Sequence, residues 1–179
     1  ISQLSEDLAV SKEQLISEGI RGVYDEGTHY EGLNSVEGGI EAEAHPISVG
    51  ALLACALGRP TSVTSGAIFT HTYKPRTADF DIYAANIPVT IVKHLGDAGS
   101  AHRFYDMVGN ELEISCAAGE FVKVRVGFMG GKDDQVSEIA ASYPTGDTLF
   151  TWNVASISLG GSAIGNASDW SISMAEGLS

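Results

Sequence analysis

The stretch NELEISCAAGEFVKVRVGF, residues 110–128, alternates in polarity on both sides of a small-residue turn. Leu112, Ile114 and Cys116 fall on one side, Glu111, Glu113 and Ser115 on the other. Beyond Ala117, Ala118 and Gly119 the alternation resumes, with Val122, Val124, Val126 and Phe128 opposed to Lys123 and Arg125. Period-two alternation over two such runs is a strand signal, and Gly119 supplies the positive φ that a bulged hairpin loop needs. The spacing therefore predicts a β-hairpin with one apolar and one charged face. For the apolar faces to coincide, even-numbered residues must pair with even-numbered ones, Cys116 facing either Glu120 or Val122. The first register sets Glu113 across from Lys123, the second across from Arg125. Each such pair is worth roughly 0.2–1 kcal/mol, enough to favour a register but not to hold a fold. The charged face is built to stay in water.

Outward from the hairpin, the chain reads as mainly β. Towards the amino terminus, NSVEGGIEAEA sets Val36, Ile40, Ala42 and Ala44 against Glu37, Glu41 and Glu43, a second strand with an acidic face. Pro46 opens a short helix carrying Ile47, Leu52, Leu53, Ala56 and Leu57, which Gly58 ends. Residues 59–66 are turn-rich, AIFTHTYK is a β-prone run, NIPVTIVKHL is a strand, and AHRFYDMV leads into the hairpin. GGKDD is expected to break the chain at 130–134; LFTWNVASISL and DWSISMA are two further strands, with Trp152 and Trp170 anchoring their core faces. In the first of these the apolar parity switches between Val154 and Ile157, which predicts a bulge at Ala155. Residues 1–34 form a separate acidic arm, with short helical turns in EDLAVSKEQLISEGI and a loop at DEGTHYEG. About seven strands and one or two short helices predict a β-sandwich or small barrel with a flanking short α-helix over residues 35–179.

Composition excludes several functions. A chain of 179 residues can bury a core without staples. Its 23 acids against 10 bases give a net charge of −13, the opposite of a surface that grips phosphate. Cys55 and Cys116 make no CxxC or CxxH pattern and read as free core thiols, a disulfide between them being the alternative. No apolar run reaches the ~20 residues of a membrane span.

Chemistry-bearing motifs are missing as well. GFMGGKD is one residue short of a phosphate loop, with Asp133 where a hydroxyl should meet magnesium. His29, His45, His71, His94 and His102 lack the spacing of a zinc site, and His71 reads as a hydrogen-bonded strand residue. The pairs Glu41 with Glu43 and Asp79 with Asp81 have the reach of glycosidase carboxylates but look like solvated strand faces. There is no nucleophile elbow, and Asn166 lies in a sequon without a secretory context. The residues point to no enzyme, metal or cofactor.

The ordered set VEGGIEAEAHPISVGALLACALG, FTHTYKP, NIPVTIVKHL, ELEISCAAGEFVKVRVGFMGGK, FTWNVASISLGG and WSISMAEGL resembles the tail tube proteins of long-tailed bacteriophages over residues 35–178. The hairpin followed by Gly130, Gly131 and Lys132 is the most specific part. The chain stops at EGLS, where the resemblance leads one to expect more strands. The resemblance implies a structural virion protein, six copies of which close a ring whose inner strands form a shared barrel. Rings would stack into a tube that surrounds the tape-measure protein, conducts DNA without binding it specifically, and meets the tail terminator and distal tail proteins at its ends. It implies assembly in the host cytoplasm, with no membrane partner. On this reading at least one edge of the hairpin pairs with a neighbouring subunit, and Glu37, Glu41, Glu43, Glu111, Glu113, Lys123 and Arg125 line the lumen. Cross-strand pairing with Glu113 or Glu111 would mute the two bases. The alternative is a carbohydrate-binding or adhesive β-sandwich module of a larger surface protein, contacting its ligand through Tyr24, Tyr30, Tyr73, Tyr83 and Tyr143.

Overall fold

In a computed structural model, residues 3–16, 29–74, 88–94, 96, 100–140, 148–164 and 167–175 are described. In chain order they form β1 (Gln3–Glu6), β2 (Ala9–Ile16), β3 (His29–Glu43), α1 (Val49–Leu57), β4 (Thr61–Ser65), β5 (Ile68–Thr72), β6 (Val89–His94) and β7 (Ala101–Ala117). There follow β8 (Lys123–Gly130), β9 (Lys132–Val136), a single 3₁₀ turn (Trp152–Val154), β10 (Ser158–Leu159), β11 (Ser162–Ala163) and β12 (Asp169–Ala175).

The expected hairpin is β7 and β8, joined by a turn in which Gly119 has φ +83° and the Glu120 amide donates to the Ala117 carbonyl at 3.0 Å. Glu113 faces Arg125 and Ile114 faces Val124, the second of the two registers. Both edges of the hairpin are filled from within the chain, however. The sheet runs β1-β3-β8-β7-β12, all antiparallel, so β3 occupies one side of the hairpin and β12 the other. The expectation that a hairpin edge pairs with another subunit is thereby corrected: the outer strands beside the hairpin are β1 with β2 on one side and β12 on the other.

β7 is long enough to serve two layers. Its second half pairs with β8 and β12, its first half with β6 and β9. It bends between them at Asp106, a left-handed residue (φ +56°), and at the bulge between Gly109 and Glu111. Asp tolerates that conformation better than most side chains. The two layers enclose Val36, Ala42, Phe104, Met107, Leu112, Val124, Val126 and Phe128, all nearly inaccessible to water. α1 closes the core with Leu52 and Ala56. A Cβ on Gly109 would lie 2.6 Å from the Cys55 carbonyl oxygen, so a residue without a side chain is what lets the helix backbone settle on the strand. The fold is mainly β, a sandwich with a flanking short helix, with no closed barrel among the described residues.

Several local expectations are overturned. The helical turns expected in residues 6–16 are strand: β1 and β2 run in line along one edge of β3, from Gln3 opposite Ala42 to Ile16 opposite His29. Pairing to an existing strand edge satisfies every second backbone group there, which outweighs a weak helical preference. His29 to Gly32, expected in a loop, belong to β3. Residues 61–65, expected as turn, are β4, and the turn itself centres on Gly66 (φ +63°). GGKDD does not end the β-structure: after a bend at Gly131 the chain resumes at once as β9. At Trp152 the chain makes a 3₁₀ turn rather than a strand with a bulge at Ala155, which accounts for the parity switch. Trp152 and Trp170 are half-buried at the margin of the core.

The paired segments 11–16 and 29–35 extend beyond the end of β8 as a two-stranded arm. It is tied back to the body by Asp133 of β9, whose carboxylate accepts from Asn34 Nδ2 and meets His102 Nε2, both at 2.9 Å. The His102 contact, then the Asn34 bond, hold that carboxyl below the usual carboxylate range.

Candidate functional site

The site is built by strand parity. Core packing of Ala42, Val124, Val126 and Leu112 turns their odd-numbered neighbours to the opposite side of the sheet. All seven residues singled out from the sequence, Glu37, Glu41, Glu43, Glu111, Glu113, Lys123 and Arg125, consequently lie on one face of β3, β8 and β7. One row across the sheet reads Ser5, Glu41, Arg125, Glu113, Ser173. The next reads Glu43, Lys123, Ser115, Ser171. Glu37 stands at the far end of β3, opposite Met129.

The two bases are neutralised by residues the sequence reading left out. Arg125 donates from Nη2 to Asp7 Oδ2 at 2.8 Å, not to the directly opposite Glu113. Lys123 Nζ lies 3.0 Å from Glu120 Oε2 in the hairpin turn. The hydrogen-bonded partners are thus Asp7 and Glu120 rather than Glu113 or Glu111, while Glu111 and Glu41 add weaker electrostatic support to Arg125. Asp7 is near at hand because β1 and β2 kink at Asp7 and Leu8, where the adjacent β3 carries Gly38 and Gly39. Gly38 has φ +144°, and a Cβ there would sit 2.6 Å from both the Asp7 carbonyl oxygen and the Leu8 Cα. Gly39 leaves open the space across which the Arg125 guanidinium lies, 3.0 Å from where its Cβ would be. Asp7 Oδ1 also accepts from the Gly39 amide, the Asp7 amide donates to the Gly39 carbonyl at 3.2 Å, and Leu8 is driven into the core at 6% exposure. The hydrogen bond donated by the Gly39 backbone amide and then the Arg125 guanidinium hold the Asp7 carboxyl below its ordinary value; Asp7 in turn raises Arg125. The signal for this clamp was present as two glycines interrupting a strand, the mark of a close backbone approach.

Among the described residues of the sheet body, eight carboxylates, Asp7, Glu37, Glu41, Glu43, Glu111, Glu113, Glu120 and, on β12 opposite Ala117, Asp169, therefore share this side with two bases, Lys123 and Arg125, a surplus of six negative charges. With each base held by an additional carboxylate, the face presents its glutamates to solvent without an exposed, unpaired cation among them. Such a surface repels polyanions.

The other sequence candidates fall elsewhere. Among the described residues no cluster of three or more His, Cys, Asp or Glu could hold a metal ion. Cys55 and Cys116 are free, and burial pushes the Cys55 thiol up to about 11. His71 meets Ser62 Oγ through Nδ1 at 2.7 Å, as a hydrogen-bonded strand residue should. Of the tyrosines, Tyr30 is exposed on the arm and Tyr73 spends its hydroxyl on the Gly50 carbonyl at 3.0 Å; Tyr24, Tyr83 and Tyr143, like Asp79, Asp81 and Asn166, lie outside the described residues. Among the described residues no helix is long and apolar enough to cross a membrane.

No curated protein matches the chain in sequence. A family profile described as phage tail tube protein matches residues 3–179, essentially the whole length, and its members are structural proteins of the virion tail rather than enzymes. The match spans the two-layer fold, the Asp7 clamp and the acidic face alike, and the chain belongs to the phage tail tube protein family.

Proposed function

We propose that this chain is the repeating subunit of the tail tube, that six copies close each ring, and that the rings stack with the acidic sheet face turned to the lumen. The tube then surrounds the tape-measure protein during assembly in the host cytoplasm, ends against the tail terminator and distal tail proteins, and conducts the genome during delivery. The observation that carries the reading is the face itself: a continuous antiparallel sheet, apolar on the core side and, among the described residues, six negative charges in surplus on the other, with both of its cations in ion pairs. A phosphate backbone slides past a wall that repels it, whereas free Lys and Arg hold it in a salt-dependent way. The sheet also ends in β1 and β12, whose outer edges have no partner among the described residues. Pairing such edges between copies closes the ring and removes the exposed strands that otherwise promote aggregation.

Electron microscopy of the purified protein tests the assembly: rings or filaments with a central channel are expected, and a strictly single-copy species overturns it. The lumen assignment is tested by changing Glu37, Glu41 and Glu43 to lysine. Each reversal moves the face by two charges, so the three together cancel the surplus of six negative charges. Tubes of this variant are expected to form yet to slow genome passage; delivery at the wild-type rate overturns the assignment.

A further inference from the structure

The β4 and β5 ribbon is the least explained part of the molecule. All ten strand residues are exposed, including Val63, Ile68 and Phe69 at 61%, 70% and 66%. The two strands form a sheet of their own, from Thr61 opposite Thr72 to Ser65 opposite Ile68. Its base is anchored by Tyr73, whose hydroxyl reaches the Gly50 carbonyl at the start of α1. An isolated two-stranded ribbon is only marginally stable in water, and three apolar side chains on it stay wet unless something covers them.

Charge indicates what covers them. Residues 61–72 contain no Asp, Glu, Lys or Arg in a chain of net charge −13. Copies of this chain repel one another over most of their surface, so contact between them is least opposed where charge is absent. The same chain carries a second such surface. Residues 148–164 are uncharged, and there Phe150 and Ile164 are 41% and 45% exposed. This segment is pinned across the end of the β7 and β8 hairpin by bonds from the Val122 amide to Phe150 and from the Trp152 amide to Glu120, and Phe121, also exposed, bridges to Thr151 beside it. A projecting ribbon and a separate uncharged, partly apolar surface on one chain are the two halves of a head-to-tail contact, the kind that repeats into rings or open arrays.

We infer that the β4 and β5 ribbon of one copy docks on the surface formed by residues 148–164 and Phe121 of another copy. The inference deepens the tube reading and rests on it for the final assembly, but the contact itself is between two copies of this chain. Two experiments test it. Ile68→Asp with Phe69→Asp leaves the core untouched, so the thermal midpoint of the single copy is expected to stay at the wild-type value. The concentration needed for assembly is expected to rise by about 100-fold or more, as buried unpaired carboxylates weaken an interface. Assembly of this variant at the wild-type concentration overturns the inference. In the second experiment, Phe69→Cys and Ile164→Cys chains, both lacking the native cysteines, are mixed and oxidised. A disulfide-linked pair that forms in the mixture and in neither chain alone supports the contact, and its absence overturns it. Tubes in the wild type without this cross-link sink the ribbon contact alone, whereas the cross-link without wild-type tubes sinks the tube reading alone.

Discussion

Replacing Gly38 with alanine tests the clamp on which the acidic face depends. The new Cβ meets the Asp7 carbonyl oxygen and the Leu8 Cα at 2.6 Å, and φ +144° is a conformation that side-chain-bearing residues rarely adopt. Ordinary contact begins about 0.8 Å further out, and backbone atoms cannot rotate away, so the kink at Asp7 and Leu8 must lift. Holding a non-glycine residue in such a conformation costs about 1–3 kcal/mol, and exposing a buried leucine about 1.5–3 kcal/mol. Lifting the kink trades one cost against the other in part, so a net loss of roughly 2–4 kcal/mol is expected, a large share of a typical 5–15 kcal/mol. Urea denaturation reads the loss directly. A double-mutant cycle identifies the route. Leu8→Ala is expected to cost about 2–5 kcal/mol in the wild type and much less when Gly38 is already alanine, because Leu8 has then left its pocket. A Gly38→Ala loss below about 1 kcal/mol, or full additivity with Leu8→Ala, refutes the reasoning.

Two further changes probe the same architecture. Asp7→Asn removes the partner of Arg125 and is expected to cost under about 1 kcal/mol at neutral pH, as an exposed pair should. Because the folded carboxyl is held below its ordinary 3.8, the Asp7 contribution is present above that value and fades as pH falls through the lower folded one, so the variant's acid unfolding curve should lack that component. Gly109→Ala pushes against the Cys55 carbonyl and is expected to cost about 1–3 kcal/mol by overpacking. As α1 lifts, the Cys55 thiol, otherwise pushed up to about 11 by burial, should react faster with a thiol reagent at pH 8; an unchanged rate refutes a helix seated on that glycine.

Where side-chain chemistry repeats with a fixed period, the sequence by itself determined the outcome. The alternation from Glu111 to Phe128 and from Val36 to Ala44 specifies strands, their buried sides and a common acidic face, because burying one parity necessarily exposes the other. The end of the helix at Gly58 was equally legible, Gly58 taking φ +85° and donating its amide to Ala54, although the helix begins at Val49 rather than at Pro46 and leaves Ile47 exposed in the turn before it. What only the tertiary structure decided lies where the local signal is weak and the partner is distant in the chain. Residues 3–16 have no decisive period and become strand because β3 offers an unfilled edge. Arg125 had Glu113 directly opposite and chose Asp7, 118 positions away, since two glycines allow the backbone kink to bring that carboxylate over the sheet. Likewise, the hairpin looked free to pair outward until β3 and β12 closed on it. Periodicity reports which side of a strand is buried, but the identity of a neighbour depends on how distant segments come together, which no local pattern encodes.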